Sequence, residues 1–295
     1  MADDEYDGLS LDERREKAIE NDKAYGKTRL KEDFRLRPGE DAKPAFFYKS
    51  HFGGKNPCYR VSDCVPIREH TSPLSEKQML ALKINSLIRQ LKSKAMVQAR
   101  LLSDVDRTSI CFLDTETTGL DGEDQIIELA IVDGYGKPLF DRRFKPSVAV
   151  SDGALYVHGI SNEDLAGEAE WTDAIDEIQS ILIGKTAYIF NSSFDRRMLI
   201  NTCKAFDVDL DWLKSVKSRC MMEISAAAFG STNKYGSISL ADAVLCANVE
   251  WRGKAHSALS DTLAAYSIFD SLIRKREGIV LEISELEQSQ SKSSL

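Results

Sequence analysis

Three short runs in succession, Ser109–Leu113, Ile126–Val132 and Leu139–Phe144, most restrict the folds open to this chain. Each is too short for a stable helix and long enough for a strand. The last two are joined by Asp133-Gly134-Tyr135-Gly136, a turn made of residues that accept positive φ. A helical region over Glu163–Leu182 precedes a fourth buried strand, Ala187–Phe190, and helical patterning prevails from there to about residue 275. A meander followed by alternating helix and strand predicts an α/β domain with a mixed, partly antiparallel sheet.

The preceding residues have a different texture. Residues 1–42 carry 9 basic and 13 acidic side chains and are expected either to form a short helix from Leu11 to Asp22 or to stay mobile until docked. Residues 43–100 reverse the balance, 11 basic against 3 acidic, although the whole chain has a net charge of −8. A basic segment beside an acidic body fits a nucleic-acid-binding face next to a cation-binding site; a solvated lysine-rich helix face fits equally well. Between Pro44 and Pro66, Phe46, Phe47, Tyr48, Phe52 and Tyr59 interleave with Lys49, Lys55 and Arg60 around Gly53-Gly54, which predicts a hairpin or compact loop. These aromatics fit either the miniature core of a small subdomain or a surface that stacks bases. From Ser72-Pro73, apolar residues at helical spacing (Leu80, Ile84, Leu87, Ile88, Leu91) predict a continuous amphipathic helix to about Leu102, fit to dock on the next domain or on a second subunit. The expected division is therefore an N-terminal extension over 1–105, an α/β domain over 106–275 and a tail over 276–295, unstructured from Glu287.

No apolar run approaches the roughly 20 residues of a membrane span, and the acidic stretch Met1–Asp12 does not read as a secretory signal. The six cysteines do not read as a disulfide framework. A soluble cytoplasmic protein with reduced thiols is expected. His51, Cys58, Cys64 and His70 could be combined into a zinc site, but lack the closely spaced cysteine pair of structural zinc.

Three segments carry chemistry. Asp114 and Glu116 close the first strand and run into Thr117-Thr118-Gly119. At i and i+2 on a strand they share a face, and two converging carboxylates repel unless a hard cation lies between them. Asp195 follows the strand ending at Phe190 and opens a helix, where an acid is also favoured simply by the helix dipole. His256 lies just before a further helix that carries Asp261, so both can face one cleft.

Together, Ile110–Leu120, Ile189–Leu199 and His256–Ala265 resemble the three motifs of the DEDDh, or DnaQ-like, 3′→5′ exonucleases, and Tyr156–Leu165 resembles a further segment of that family. The likeness covers residues 106–275; Phe190 stands where many members have histidine. It implies a ribonuclease H-like mixed sheet flanked by helices. It implies Asp114, Glu116, Asp195 and Asp261 as ligands of two Mg²⁺ or Mn²⁺ ions, and His256 as general base. Thr117, Gly119 and Leu120 would line the pocket of the 3′-terminal nucleotide. His158 would either touch substrate or be a satisfied structural histidine, and Asn191 would bind substrate or fix the turn before Asp195. The expected partner is a nucleic acid with a 3′ end, single-stranded DNA favoured over RNA and released as 5′-mononucleotides. An RNA-directed exonuclease and a nucleic-acid-binding subunit of a larger complex are the alternatives. Residues 43–105 are expected to strengthen substrate binding, pair two subunits as a homodimer or dock a protein partner.

Overall fold

The computed structural model describes residues 6–49, 54–67 and 74–292, which form two compact units, Met1–Ser75 and Glu76–Leu295. His51, Phe52, Gly53, His70 and Ser72-Pro73, all singled out above, lie outside the described residues.

The first unit runs α1 (Leu11–Glu20), β1 (Ala24–Gly26), α2 (Lys27–Asp33), β2 (Leu36–Pro38), β3 (Phe46–Lys49), β4 (Lys55–Arg60) and β5 (Cys64–Pro66). A capping box starts α1: Ser10 Oγ accepts from the Glu13 amide, and the Ser10 amide donates to Glu13. β1, β4 and β3 form an antiparallel sheet in that order, and β2 pairs with β5. The small core is Tyr6, Ala18, Leu30, Phe34, Leu36 and Val61, with Phe34 edge-on to Tyr6 and stacked on Tyr25. The predicted hairpin is present as β3–β4. Its aromatics Phe46, Phe47 and Tyr48 do not make that core; they are 51%, 58% and 48% exposed.

The second unit begins with α3 (Glu76–Leu91) and α4 (Lys94–Ser103). A continuous helix was expected here. Ser93 interrupts it by taking extended backbone angles and accepting the Met96 amide at its side chain, so the stretch becomes two capped helices. There follow β6 (Ile110–Thr117), β7 (Ile126–Asp133), β8 (Pro138–Arg143), α5 (Asp152–His158), α6 (Asn162–Leu165), α7 (Ile175–Leu182), β9 (Thr186–Ile189), α8 (Ser192–Ala205), β10 (Lys217–Cys220), α9 (Met221–Phe229), α10 (Leu240–Ala247) and α11 (Ala258–Lys292). The five strands lie in the order β10-β9-β6-β7-β8, parallel among β10, β9 and β6 and antiparallel from β6 to β8. β10 escapes the sequence pattern because its Lys-Ser-Arg-Cys is a polar, half-exposed edge strand. α11 runs on as far as Lys292 into the segment from Glu287 expected to be unstructured. Polar as it is, that stretch continues a formed helix, with Ser284 and Ser289 hydroxyls donating to carbonyls one turn back and Glu282 paired with Lys83 of α3 at 2.8 Å.

Central strand β6 is buried on both faces, which is why its start is apolar without alternation. Phe112 faces one core with Tyr188 and Phe269; Cys111 and Leu113 face the other with Trp171, Ile178, Met198 and Leu199. Burying one such aromatic or aliphatic side chain contributes about 1.5–3 kcal/mol, so these two layers anchor β6 firmly.

The β7–β8 turn is tied by Asp133, whose Oδ1 accepts the amides of Tyr135 and Lys137. Gly136 there has φ +81°, and a Cβ would fall inside the Tyr266 ring. Gly136→Ala is therefore expected to cost about 2 kcal/mol, from the strained backbone and the displaced ring, lowering the melting temperature by roughly 4–8 °C. Calorimetry checks this; an unchanged melting temperature would mean that this turn is not packed on Tyr266.

Candidate active site

Two elements bring the acids together by arithmetic of rise. On β6, Phe112, Asp114 and Glu116 alternate onto one face, and Phe112 meets Phe269 of α11 with ring centroids 5.2 Å apart. From Phe112 to Glu116 the strand advances roughly 13 Å, and from Phe269 back to Asp261 the helix advances roughly 12 Å. The aromatic contact therefore sets Asp261 opposite Glu116. His256, in the loop leading to α11, completes the group: ligand atoms of Glu116, His256 and Asp261 all lie within 4.8 Å of one another. His256 is exposed and has φ +61°, a conformation that turns the chain just before the helix.

Asp195 comes from the other layer. Thr115, between the two β6 acids, points to the α8 side, and its hydroxyl donates to Asp195 Oδ1 at 2.9 Å. Asp195 is buried in the first turn of α8. Asn191 sets that turn with φ +68°, where asparagine is better tolerated than most residues, and its Oδ1 accepts from Ser193 Oγ.

The electrostatics follow from this crowding. Burial first, then Asp195, Asp261, Glu116 and Glu128, hold Asp114 well above the usual carboxylate range. Burial, Asp261, Glu128 and Asp195 push Glu116 up to about 8, against the opposing charge of Lys254. Asp195 is pushed up to about 7 by burial, despite the Thr115 hydrogen bond. Asp261 is pushed up to about 7 by burial and by Glu128, against a hydrogen bond from the His256 backbone. Among the described residues, Asp261 Oδ1 is buried without a hydrogen-bond partner. An acceptor-only oxygen left bare among mutually repelling carboxylates is the environment that a hard divalent cation satisfies. Asp114, Glu116, Asp195 and Asp261 therefore fit such a group.

Sequence reasoning missed Glu128. In the register of β6 with β7 it lies across from Glu116. It is buried; Oε2 accepts the Ala258 amide at the start of α11 (3.1 Å) and Oε1 meets Arg143 Nε (3.2 Å). It thereby ties the sheet to the loop that holds His256. A lone acid inside the apolar run Ile126–Val132 was its available signal.

Beside the acids opens a cavity of about 400 Å³, lined by Glu116, Thr117, Gly119, Leu120, Val157, His158 and Phe194 among others. Thr117, Gly119, Leu120 and His158 thus share one pocket, to which Phe194 is added; Asn191 does not line it. Leu120 is 71% exposed at the rim. His158 Nδ1 accepts the Ile160 amide and Nε2 donates to the Thr117 carbonyl, so both nitrogens are spent within the protein and the ring serves the pocket as wall. Gly119 leaves room for Asp124, whose carboxylate accepts from Thr118 Oγ1 and the Asp121 amide.

A sequence model of the RNase T family, described as exonuclease, matches residues 111–269, a span that holds every candidate site residue. The uncharacterized exonuclease CP81 of Escherichia phage 186 is 28% identical over 169 residues, covering 55% of this chain and 87% of that protein. The uncharacterized protein pSLT049 of Salmonella typhimurium is 38% identical over 122 residues, covering 41% of this chain and 88% of that protein. Among solved structures, exonuclease X in complex with 5′ overhanging duplex DNA aligns with a TM-score of 0.42 and 24% identity, over 55% of this chain and 90% of that one.

Carboxyl groups raised from about 4 toward 7 and 8 hold more protons folded than unfolded, so stability without a cation must fall as pH rises across that interval. In EDTA the melting temperature is expected to drop from about pH 5 to about pH 8. Saturating Mn²⁺ should reverse the drop, by about 2.7 kcal/mol at one hundred times its Kd. A melting temperature in EDTA that climbs over this range would contradict the crowding described here.

Proposed function

This chain belongs to the RNase T exonuclease family, DnaQ-like nucleases of the ribonuclease H-like superfamily, and from that premise we propose that it removes 5′-mononucleotides from the 3′ end of single-stranded DNA. The observation that carries the reading is the meeting of Glu116, Asp261 and His256 at the mouth of a nucleoside-sized pocket that Glu116 itself lines.

In this reading Asp114, Glu116, Asp195 and Asp261 hold two divalent ions, which when bound neutralise charge on the scissile phosphate and lower the cost of making hydroxide. The terminal nucleoside enters the pocket, with Leu120 at its rim and Phe194 and Val157 as apolar walls. Gly119 and Thr117 supply backbone at close range; the Thr117 hydroxyl is already donated to the Gly119 carbonyl. A ring nitrogen of His256 accepts a proton from the attacking water as its oxygen bonds to phosphorus, and the bond from phosphorus to the 3′ oxygen of the preceding nucleotide breaks. That oxygen takes a proton from solvent and becomes the new 3′-hydroxyl. Exposure suits His256 to this task, since the proton can pass on to water. Glu128 holds the loop through Ala258, and Lys254, whose Nζ donates to the His158 carbonyl, places a cation beside the entering phosphate.

The preference for DNA rests on the resemblance of the first motif to DNA-directed bacterial and phage members.

The test is digestion of 5′-labelled single-stranded DNA and matched RNA with Mg²⁺ or EDTA. A ladder shortening from the 3′ end, abolished by EDTA and faster on DNA, is expected. His256→Ala should slow it about 10²–10⁴-fold while leaving stabilisation by Mn²⁺ intact. Full turnover in that variant removes the base assignment, and release from the 5′ end overturns the polarity.

A further inference from the structure

The aromatics of the β3–β4 hairpin were open to two readings, and the fold separates them. The core of the first unit is complete without Phe46, Phe47 and Tyr48, each about half exposed on strand β3. Among the described residues β3 is the edge of its sheet, and these rings lie half exposed on it rather than in an interior. By register, Phe47 and Lys49 share a face with Pro57 and Lys55, while Phe46 and Tyr48 share the opposite face with Cys58, Tyr48 lying over Gly26.

The charge around them is one-sided. From Lys43 to Ser62 the chain holds Lys43, Lys49, Lys55 and Arg60 and no acidic residue. Arg60 is engaged by Asp22. On the face of Phe47 the pattern continues inward with Lys27 over the Tyr59 ring and with Arg29, itself paired with Asp33, over Tyr25. Rings with cations at their edges complement a strand that offers flat bases and a phosphate at every step. A second copy of this chain added at the β3 edge fits less well, because Lys49 and Lys55 already face each other across the hairpin and edge lysines oppose strand addition.

We propose that one face of β3 and the adjoining end of β4 forms a second binding site for single-stranded nucleic acid, with Phe47 as stacking platform and Lys49 and Lys55, on the same face, as phosphate contacts. The site holds the body of a strand without regard to its sequence or its end. It rests on the proposed function only in taking nucleic acid as the molecule that both units handle.

The full chain is titrated, in EDTA, into a fluorescein-labelled oligothymidylate, and hydrolysis of the p-nitrophenyl ester of thymidine 5′-monophosphate is followed separately with Mn²⁺. The variant Phe47→Ala should weaken oligonucleotide binding tenfold or more and leave ester hydrolysis unchanged. Phe47→Trp should restore most of the affinity, whereas Phe47→Leu, equally apolar, should not. Lys49→Glu with Lys55→Glu should weaken binding and flatten its dependence on salt. Unchanged oligonucleotide affinity in the aromatic and lysine variants overturns the site. So does an altered sedimentation coefficient with intact DNA affinity, which would assign the strand edge to protein contacts. Hairpin-dependent binding by a parent protein that cannot cleave the ester upholds this site and counts against the proposed function instead.

Discussion

Burial of crowded carboxylates is the constraint around which the second unit is arranged. Burial raises the proton affinity of Asp114, Glu116, Asp195 and Asp261, and neighbouring carboxylates raise it further at Asp114, Glu116 and Asp261. Left alone, such a cluster opposes folding. It persists because the scaffold on either side is stiff: β6 lies between two apolar layers, and the contact of Phe112 with Phe269 fixes the distance along α11 at which Asp261 appears. Fine adjustment comes from single hydrogen bonds, Thr115 to Asp195 across one layer and Glu128 to the Ala258 amide across the other. The orphaned Asp261 Oδ1 marks where the compensating charge belongs.

The cluster was largely legible in sequence as particular residue types at fixed spacings. Asp114, Glu116, His256 and Asp261 stand out as polar interruptions at the ends of apolar segments, and the structure gathers them as that pattern requires. Asp195 alone reads as an ordinary helix-start acid; only its company gives it meaning. Glu128 was hidden for the opposite reason. Its role lies in partners far along the chain, Ala258 and Arg143, which no local pattern announces.

Element boundaries were less legible where the deciding interaction is small or distant. One serine side chain splits α3 from α4, yet the apolar spacing runs through the break undisturbed. β10 is held by pairing with β9 and not by its own hydrophobicity. The end of α11 is as polar as a tail, and extends a helix already formed, which meets α3 through Glu282 and Lys83. In the first unit the aromatics divide: Tyr59 packs against the core that Phe34, Tyr6 and Tyr25 help build, and the three on β3 remain outside.

The measurement that bears most directly on this account is anomalous diffraction from crystals soaked in Mn²⁺. Two peaks are expected, each touching carboxylate oxygens from the set Asp114, Glu116, Asp195 and Asp261, with His256 adjacent. Carboxylates diverging from one another with no anomalous scatterer among them would contradict it.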